Sequence, residues 1–247
     1  MKRIPLITLI GLVHLFVFFS PARSKSYRIE RVAILARVNL DGSMTIQETR
    51  TYRFKGRFKW ADYRLPIKGF ASVADFSLRD EEMIYRPGRS DERGTYQIQK
   101  SEDEFYVKWF YRASNEERTF VLSYRVTHLL RIYPDVSELY YQFIGEGWDR
   151  VTGEVSVTVK LPEGAGRDEI HAWAHGPLWG RVSIRDGTTV QLEVSNLPGH
   201  RYWEGRILFP SRLVPGLPKT SDIPQLDRII EQETQWAKEA NEARIRA

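Results

Sequence analysis

The sequence predicts an all-β protein, an antiparallel β-sandwich followed by one C-terminal α-helix. Runs of alternating apolar and polar residues recur along most of the chain, as is typical of half-buried strands. Turn signals separate these runs, and the first of them is Asp41-Gly42. The hydrophobic period becomes helical only after residue 221. Together these observations favour two packed β subdomains ahead of the helix, with one continuous sandwich as the alternative.

The first 24 residues have the layout of a secretory signal peptide. A short basic start precedes an apolar run at 4–19, and Ala22 and Ser24 fit the −3 and −1 positions of a cleavage site between Ser24 and Lys25. The run is shorter than the roughly 20 apolar residues that a transmembrane helix needs. We therefore expect an exported protein, with an uncleaved membrane anchor as the alternative.

Composition limits the function classes. The chain has 37 basic and 32 acidic residues; removing 1–24 takes away three basic residues and no acid, which leaves 34 against 32. Without a dense block of Lys and Arg, nucleic acid is not expected as a partner. The chain has no cysteine, so its core must hold the fold without disulfides.

The strand pattern begins with a hairpin, in which runs at 27–40 and 44–54 flank Asp41-Gly42 as a tight two-residue turn. A soft boundary near Trp148 and Asp149 divides a first subdomain, 25–148, from a second, 149–212. Further strands are predicted at 105–111, 120–126, 139–143, 155–161, 170–174, 181–185, 190–194 and 202–209, with Asp186-Gly187 as another hairpin turn.

The C-terminal part is predicted to be a proline-rich linker, 213–221, and a helix of membrane-proximal type, 222–247. Ser221 or Asp222 is a candidate cap, and a thin apolar stripe interrupted by Glu233 follows. Because that stripe offers little surface to bury, we expect the helix to separate from the sandwich.

No motif predicts catalysis, a metal or a cofactor. His171 and His175 would share one face of a helix, but the surrounding pattern predicts a strand, in which positions i and i+4 lie about 13 Å apart. The sequence has no Gly-x-Ser-x-Gly elbow and no thiol. We therefore expect a protein that is not an enzyme; an envelope hydrolase with a scattered active site is an alternative.

Two sets of residues are candidates for ligand binding. Trp173, His175, Trp179 and Trp203 form a tentative ligand surface, an aromatic platform for sugar or peptide, and core packing of these rings is the alternative. Glu48 lies on the otherwise apolar face of the second strand and is followed on that face by a guanidinium. A strand-face ion pair or a charged edge position explains Glu48 most simply, and a ligand contact is the second interpretation.

The order of short segments resembles domain-of-unknown-function family 2207, predicted bacterial membrane proteins that include the YciQ-like group. The similarity covers most of residues 26–212. The matching segments are Tyr27-Arg28-Ile29, Asp41-Gly42-Ser43 with Glu48, Phe54-Lys55-Gly56-Arg57-Phe58, Tyr63-Arg64-Leu65-Pro66, 120–124, Glu138-Leu139-Tyr140-Tyr141, Ile144-Gly145 with Trp148, His175-Gly176-Pro177 with Gly180, and Phe209-Pro210.

The resemblance implies an exported β-rich domain followed by a helix and transmembrane segments, and it implies no activity. We expect a non-catalytic extracytoplasmic binding or structural domain of an envelope protein, at the outer face of the cytoplasmic membrane, or secreted if no membrane region follows. A carbohydrate-binding module is an alternative. The expected partners are the membrane, through a missing C-terminal region or an uncleaved signal, and another envelope protein or a glycan.

Overall fold

A computed structural model of the chain describes residues 25–67 and 72–246. The predicted signal segment, with Ser24 of its cleavage site, lies outside the described residues, as does Ala247 at the end of the predicted helix. The strands are β1 (Ser26–Val38), β2 (Met44–Lys55), β3 (Arg57–Pro66), β4 (Val73–Asp80), β5 (Arg86–Pro87), β6 (Thr95–Lys100), β7 (Glu104–Ser114), β8 (Glu117–Val126), β9 (Leu130–Ile132), β10 (Ser137–Ile144), β11 (Thr152–Lys160), β12 (His171–His175), β13 (Arg181–Asp186), β14 (Thr189–Leu197) and β15 (Trp203–Phe209), and the helix is α1 (Leu226–Arg246).

The strands form one large sheet and two small ones. The large sheet has the order β13-β14-β11-β1-β2-β8-β4, and the small sheets have the orders β12-β15-β10-β9 and β3-β7-β6-β5. This confirms an all-β sandwich with a C-terminal helix. β3 is the terminal strand of its sheet, which positions it at the edge of the site described below.

Both small sheets cover the same face of the large one. Leu192, Val157, Ile34 and Glu48 are successive register partners across four strands, so their side chains share a face. In one small sheet, Gly205 lies against Leu192; in the other, Tyr63 donates a hydrogen bond to Glu48. The opposite face of the large sheet lies towards solvent, as the exposure of Leu35 shows.

The boundary predicted near Trp148 and Asp149 does not separate two sheets. β1 pairs in parallel with β11, with Ile29 opposite Thr152, so strands from both sides of the boundary share the large sheet and one hydrophobic core. The division into subdomains 25–148 and 149–212 stays a prediction, and the strand pairing of the large sheet is continuous across it. Two strands more than 100 residues apart in the sequence pair through tertiary contacts, and local periodicity gives no information about such contacts.

The first hairpin is confirmed, but its turn is longer than predicted. The amide of Asn39 donates to the carbonyl of Ser43, which leaves a three-residue loop instead of two residues. Only Gly42 has a positive φ, +77°, while Asp41 accepts hydrogen bonds from Ser43. This is the turn that a type I bend followed by a left-handed residue forms.

The linker and the start of α1 are attached to the sandwich. Leu213 is buried, and Thr220 pairs with Ile132 through hydrogen bonds of 2.8 and 3.0 Å. α1 begins at Leu226, four residues later than predicted. The carboxylate of Asp135, from the loop before β10, accepts from the amides of Gln225, just before the helix, and of Leu226; Ser221 accepts from the amide of Ile223 in a preceding turn.

The first half of α1 packs against the sheet of β10, β12 and β15, so its predicted separation from the sandwich is wrong there. Ile229 and Glu233 are both buried, and Ile229 lies in a small apolar cluster with Val136 and Leu208. The separation was predicted from the thinness of the apolar stripe. A buried charge, described below, supplies the contact that the stripe lacks.

Candidate functional site

A groove of about 520 Å³ lies between β3 and the segment 145–150, above the start of β1 and the end of β2. We call it the β3 groove. Aromatic rings line it on several sides, among them Tyr27, Phe58, Trp60 and Trp148. Its volume falls within the range of ligand sites, roughly 300–1,000 Å³.

The floor of the groove is a buried ion pair. Glu48 and Arg50 are each 1% exposed, and Arg50 Nε lies 2.8 Å from Glu48 Oε2. The hydroxyls of Tyr63 and Tyr124 both donate to the other oxygen, Oε1, of Glu48. Burial, and next the negative charge of Glu48, raise the pKa of both tyrosines well above 10.0, so both stay protonated as donors.

Arg50 also fixes the wall of the groove. Its guanidinium carbon lies 4.1 Å from the ring centre of Tyr63 and 4.4 Å from that of Trp148, so the guanidinium is held between two rings. Tyr27 donates to Asp149 at 3.2 Å, which ties the same segment to β1. The sequence interpretation of Glu48 as a strand-face ion pair agrees with this geometry, although β2 is a central strand and not an edge.

The rim of the groove is positively charged. Five basic and three acidic residues line it, apart from Arg50 of the floor, which Glu48 neutralises: Lys25, Arg57, Lys59, Arg64 and Arg150 against Asp62, Glu104 and Asp149. Arg64 pairs with Glu104 at 2.9 Å. Within the described residues, Arg57 and Lys59 form no ion pair, and both are exposed. Trp60 beside them is 51% exposed, with its ring 4.6 Å from the ammonium of Lys108.

Sequence reasoning missed β3 and therefore the groove. The run 57–65 alternates polar and apolar residues, but Trp60 and Ala61 are adjacent apolar residues, so the alternation changes phase in the middle and does not indicate one half-buried strand. The signal in the sequence was the interleaving of cations and aromatic rings in Arg57-Phe58-Lys59-Trp60.

The three tryptophans of the tentative ligand surface do not form one platform. Trp203 is 1% exposed and lies under Gly180, where an added Cβ would clash with its ring. Trp173 is half-buried and packs on the cluster that receives Ile229. Trp179 is 55% exposed, and its indole donates to the carbonyl of Ser195. Core packing, the alternative considered for these rings, accounts for Trp203.

His175, the fourth residue of that surface, belongs to a partly buried charge network that holds α1. Its Nε2 lies 2.9 Å from Glu233 and its Nδ1 lies 3.4 Å from Glu204. Arg206 bonds to Glu233 at 2.9 Å and to Glu138 at 2.6 Å. We call these five residues the helix network. Burial opposes the charge of His175, but the two carboxylates outweigh it and raise its pKa to about 9.

The predicted strand around His171 and His175 is confirmed as β12, and the ring of His171 stacks on that of Trp173. Glu233 was read from the sequence as an interruption of the helical stripe. The position of this acid within an apolar stripe was in fact the signal that Glu233 is buried.

Among the described residues, no group of three or more His, Asp and Glu is arranged to hold a metal ion. No described helix combines the length and apolar character required to cross a membrane.

The family model described as the N-terminal domain of predicted membrane proteins, DUF2207, matches residues 28–209. The chain therefore belongs to this family, and the resemblance drawn from its sequence motifs is confirmed. The matched residues contain the β3 groove except for Lys25 and Tyr27, and all of the helix network except Glu233.

The similar solved structures are remote. They include an M1 zinc metallopeptidase from Deinococcus radiodurans, 13% identical with a TM-score of 0.40, covering 74% of this chain and 42% of the peptidase. Another is yeast LTA4 hydrolase in complex with bestatin, 10% identical with a TM-score of 0.48, covering 74% of this chain and 29% of the hydrolase. This chain thus spans less than half of either. Comparison with curated proteins gives no match. Similarity at this level assigns no activity to the chain.

Proposed function

We propose that the chain is an exported, non-catalytic binding domain of a membrane-associated envelope protein and that the β3 groove is its binding site. The observation that carries the proposal is the combination of exposed Trp60 with the unpaired cations of Arg57 and Lys59, above a floor fixed by buried charges. Such a site suits a ligand with negative charge and a flat or apolar part.

Three carboxylates of the groove, those of Glu48, Glu104 and Asp149, support binding rather than catalysis. Glu48 accepts hydrogen bonds from Arg50, Tyr63 and Tyr124, so its oxygens are occupied. Glu104 accepts from Arg64, and Asp149 accepts from Tyr27. General acid or base catalysis needs a carboxyl that can exchange a proton with a substrate, and these groups are held as acceptors.

Export rests on the signal pattern of residues 1–24, and association with a membrane rests on the family. The test is expression of the full chain in a bacterial host, followed by fractionation and protease treatment of spheroplasts. External protease should digest the protein, while a cytoplasmic marker stays intact. Protection of the chain until the cells are lysed would contradict export.

The binding site is tested with the anionic aromatic dye anilinonaphthalene sulfonate, whose fluorescence rises in apolar sites. We expect saturable binding that weakens about tenfold in Trp60→Ala, because a ring and its cation contacts are lost. Trp179→Ala is the matched control, since the two tryptophans are 51% and 55% exposed. In the same way, Lys59→Glu should weaken binding, and Lys238→Glu on α1 should not.

Equal affinities for all four variants, measured on proteins with unchanged melting temperatures, would show that the β3 groove is not the site. Loss of binding in Trp179→Ala alone would instead favour the surface around that residue, which the sequence analysis proposed for a carbohydrate.

A further inference from the structure

We propose that the ligand of the β3 groove is an extended acidic segment of another protein, which adds as a strand to the free edge of β3. This inference rests on the proposed function and specifies its ligand class. Strand addition supplies affinity through main-chain hydrogen bonds and specificity through side-chain pockets.

The first support is an unpaired strand edge. β3 pairs with β7 on one side, and no described strand pairs with its other side. A bulge between Phe58 and Trp60 interrupts the edge at one end, and Pro66 ends it at the other. Between them lies a regular stretch from Trp60 to Leu65. Exposed edges of this kind are templates for pairing with another chain.

The second support is the direction of the backbone groups. The amide of Ile67 donates to the carbonyl of Asp103 at 2.6 Å, and these two residues continue the register of β3 with β7. Backbone groups alternate in direction along an antiparallel strand, so those of Trp60, Asp62 and Arg64 point to the free edge. The backbone nitrogen of Pro66 also points to the free edge, so its missing N–H removes no hydrogen bond between β3 and β7.

The third support is the course of the groove. Every residue from Arg57 to Arg64 lines it. A cavity on one face of a strand would be lined by alternate residues, because successive side chains point to opposite faces. A groove lined by consecutive residues therefore runs along the edge of β3. Its other wall is formed by the start of β1 and by Trp148.

The positive charge around the groove favours a negatively charged peptide as its ligand. Apart from Arg50, which Glu48 neutralises, five basic and three acidic residues line the groove, and Arg57 and Lys59 have no ion-pair partner among the described residues. An acidic peptide fits this surface. The chain's own residues 1–24 carry three basic residues and no acid, so their charge opposes binding there. A second copy of β3 would bring the same cations face to face.

The test uses the purified full chain and synthetic peptides of about eight residues, which would cover the regular stretch of β3 at about 3.3 Å per residue. One peptide alternates Glu and Val, and the other alternates Lys and Val. We expect the acidic peptide to bind at least about tenfold more tightly, to displace the dye and to weaken with added salt. The affinity is measured by fluorescence anisotropy.

The backbone contribution is tested by N-methylation. Two further acidic peptides carry N-methyl groups on alternate amides, one on the odd positions and the other on the even positions. Only one edge of an added strand faces β3, so one methylated peptide should lose binding about tenfold or more while the other keeps it. On the protein, Asp62→Pro should weaken binding because it removes an outward amide, whereas Asp62→Ala should not.

Equal binding of both methylated peptides, or no preference for the acidic peptide, would overturn strand addition. If dye binding still depends on Trp60 in that case, the proposed binding site stands and only its ligand class is wrong. If the dye binds independently of Trp60, the proposed function itself fails. Pairing of two copies through β3 would appear as a dimer that the acidic peptide dissociates, and it would also overturn the proposal of a foreign segment.

Discussion

Protonation of His175 is expected to stabilise the docking of α1, and raising the pH through 9 is expected to weaken it. His175 contacts Glu233 on the helix and Glu204 on β15, while Trp236 lies edge-on to its ring at 5.5 Å. Of the other charged groups in the helix network, Arg206 remains protonated over this range. Tyr140, which donates to Glu204, also stays protonated, because burial and Glu204 raise its pKa.

The magnitude follows from the pKa of His175, which is raised from 6.5 to about 9. One pKa unit corresponds to about 1.4 kcal/mol, so the protonated imidazole contributes about 3 kcal/mol to the folded state, or somewhat less because its side chain is 18% exposed. The pKa is higher in the folded chain than in the unfolded one. The stabilisation is therefore complete below pH 6.5 and is lost as the pH rises through 9.

The assay is urea unfolding, followed by circular dichroism, on both sides of this pH window, together with an NMR titration of the histidine rings. Wild type should lose about 2 to 3 kcal/mol on going from the lower pH to the higher. His175→Gln should lose this pH dependence, and His171→Gln, a change in the same strand, should retain it. A ring titration of His175 near 6.5, or the same pH dependence in His175→Gln, would refute the reasoning.

Three further predictions concern the turn, the leader and the buried pair. Gly42→Ala should lower the free energy of unfolding by about 1 to 2 kcal/mol, because φ is +77° and a Cβ would lie 2.9 Å from Leu217, whereas Gly145→Ala, which meets no neighbour within 4 Å, should not. Mass spectrometry of the exported chain should find Lys25 at its N-terminus, and an intact leader would indicate an anchor. Glu48→Ala should cost about 3 to 5 kcal/mol by leaving Arg50 unpaired, as chemical denaturation would measure.

The parts of the fold that depend on local pattern were predictable. The hairpin around Gly42 follows from a turn residue between alternating runs, and the alternation placed Glu48 and Arg50 on the buried face of β2. The parallel pairing of Ile29 with Thr152 was not predictable, because nothing near either residue specifies a partner so far along the chain. Local periodicity describes a strand's faces and not its neighbours.

The candidate site was likewise predictable from the sequence only in part. The sequence marked Glu48 as unusual, because a carboxylate on an apolar face is costly unless it is paired. It did not mark Trp60, because an exposed tryptophan gains its meaning from a groove that three separated segments build. The docking of α1 was also mispredicted, because the partners that hold Glu233 and the carboxylate of Asp135 come from other elements, which the helical stripe does not specify.

The buried pair at the floor of the groove calls for a reason other than stability. Replacing a buried ion pair with apolar residues of similar size is often neutral or stabilising, so folding alone does not explain Glu48 and Arg50. An apolar pair would not supply a planar cation, and the guanidinium of Arg50 contacts the rings of both Tyr63 and Trp148. Glu48 keeps that cation charged and oriented through two bonds to one of its oxygens. The pair therefore belongs to the proposed binding site as much as to the core, because it holds the wall that faces β3 in place.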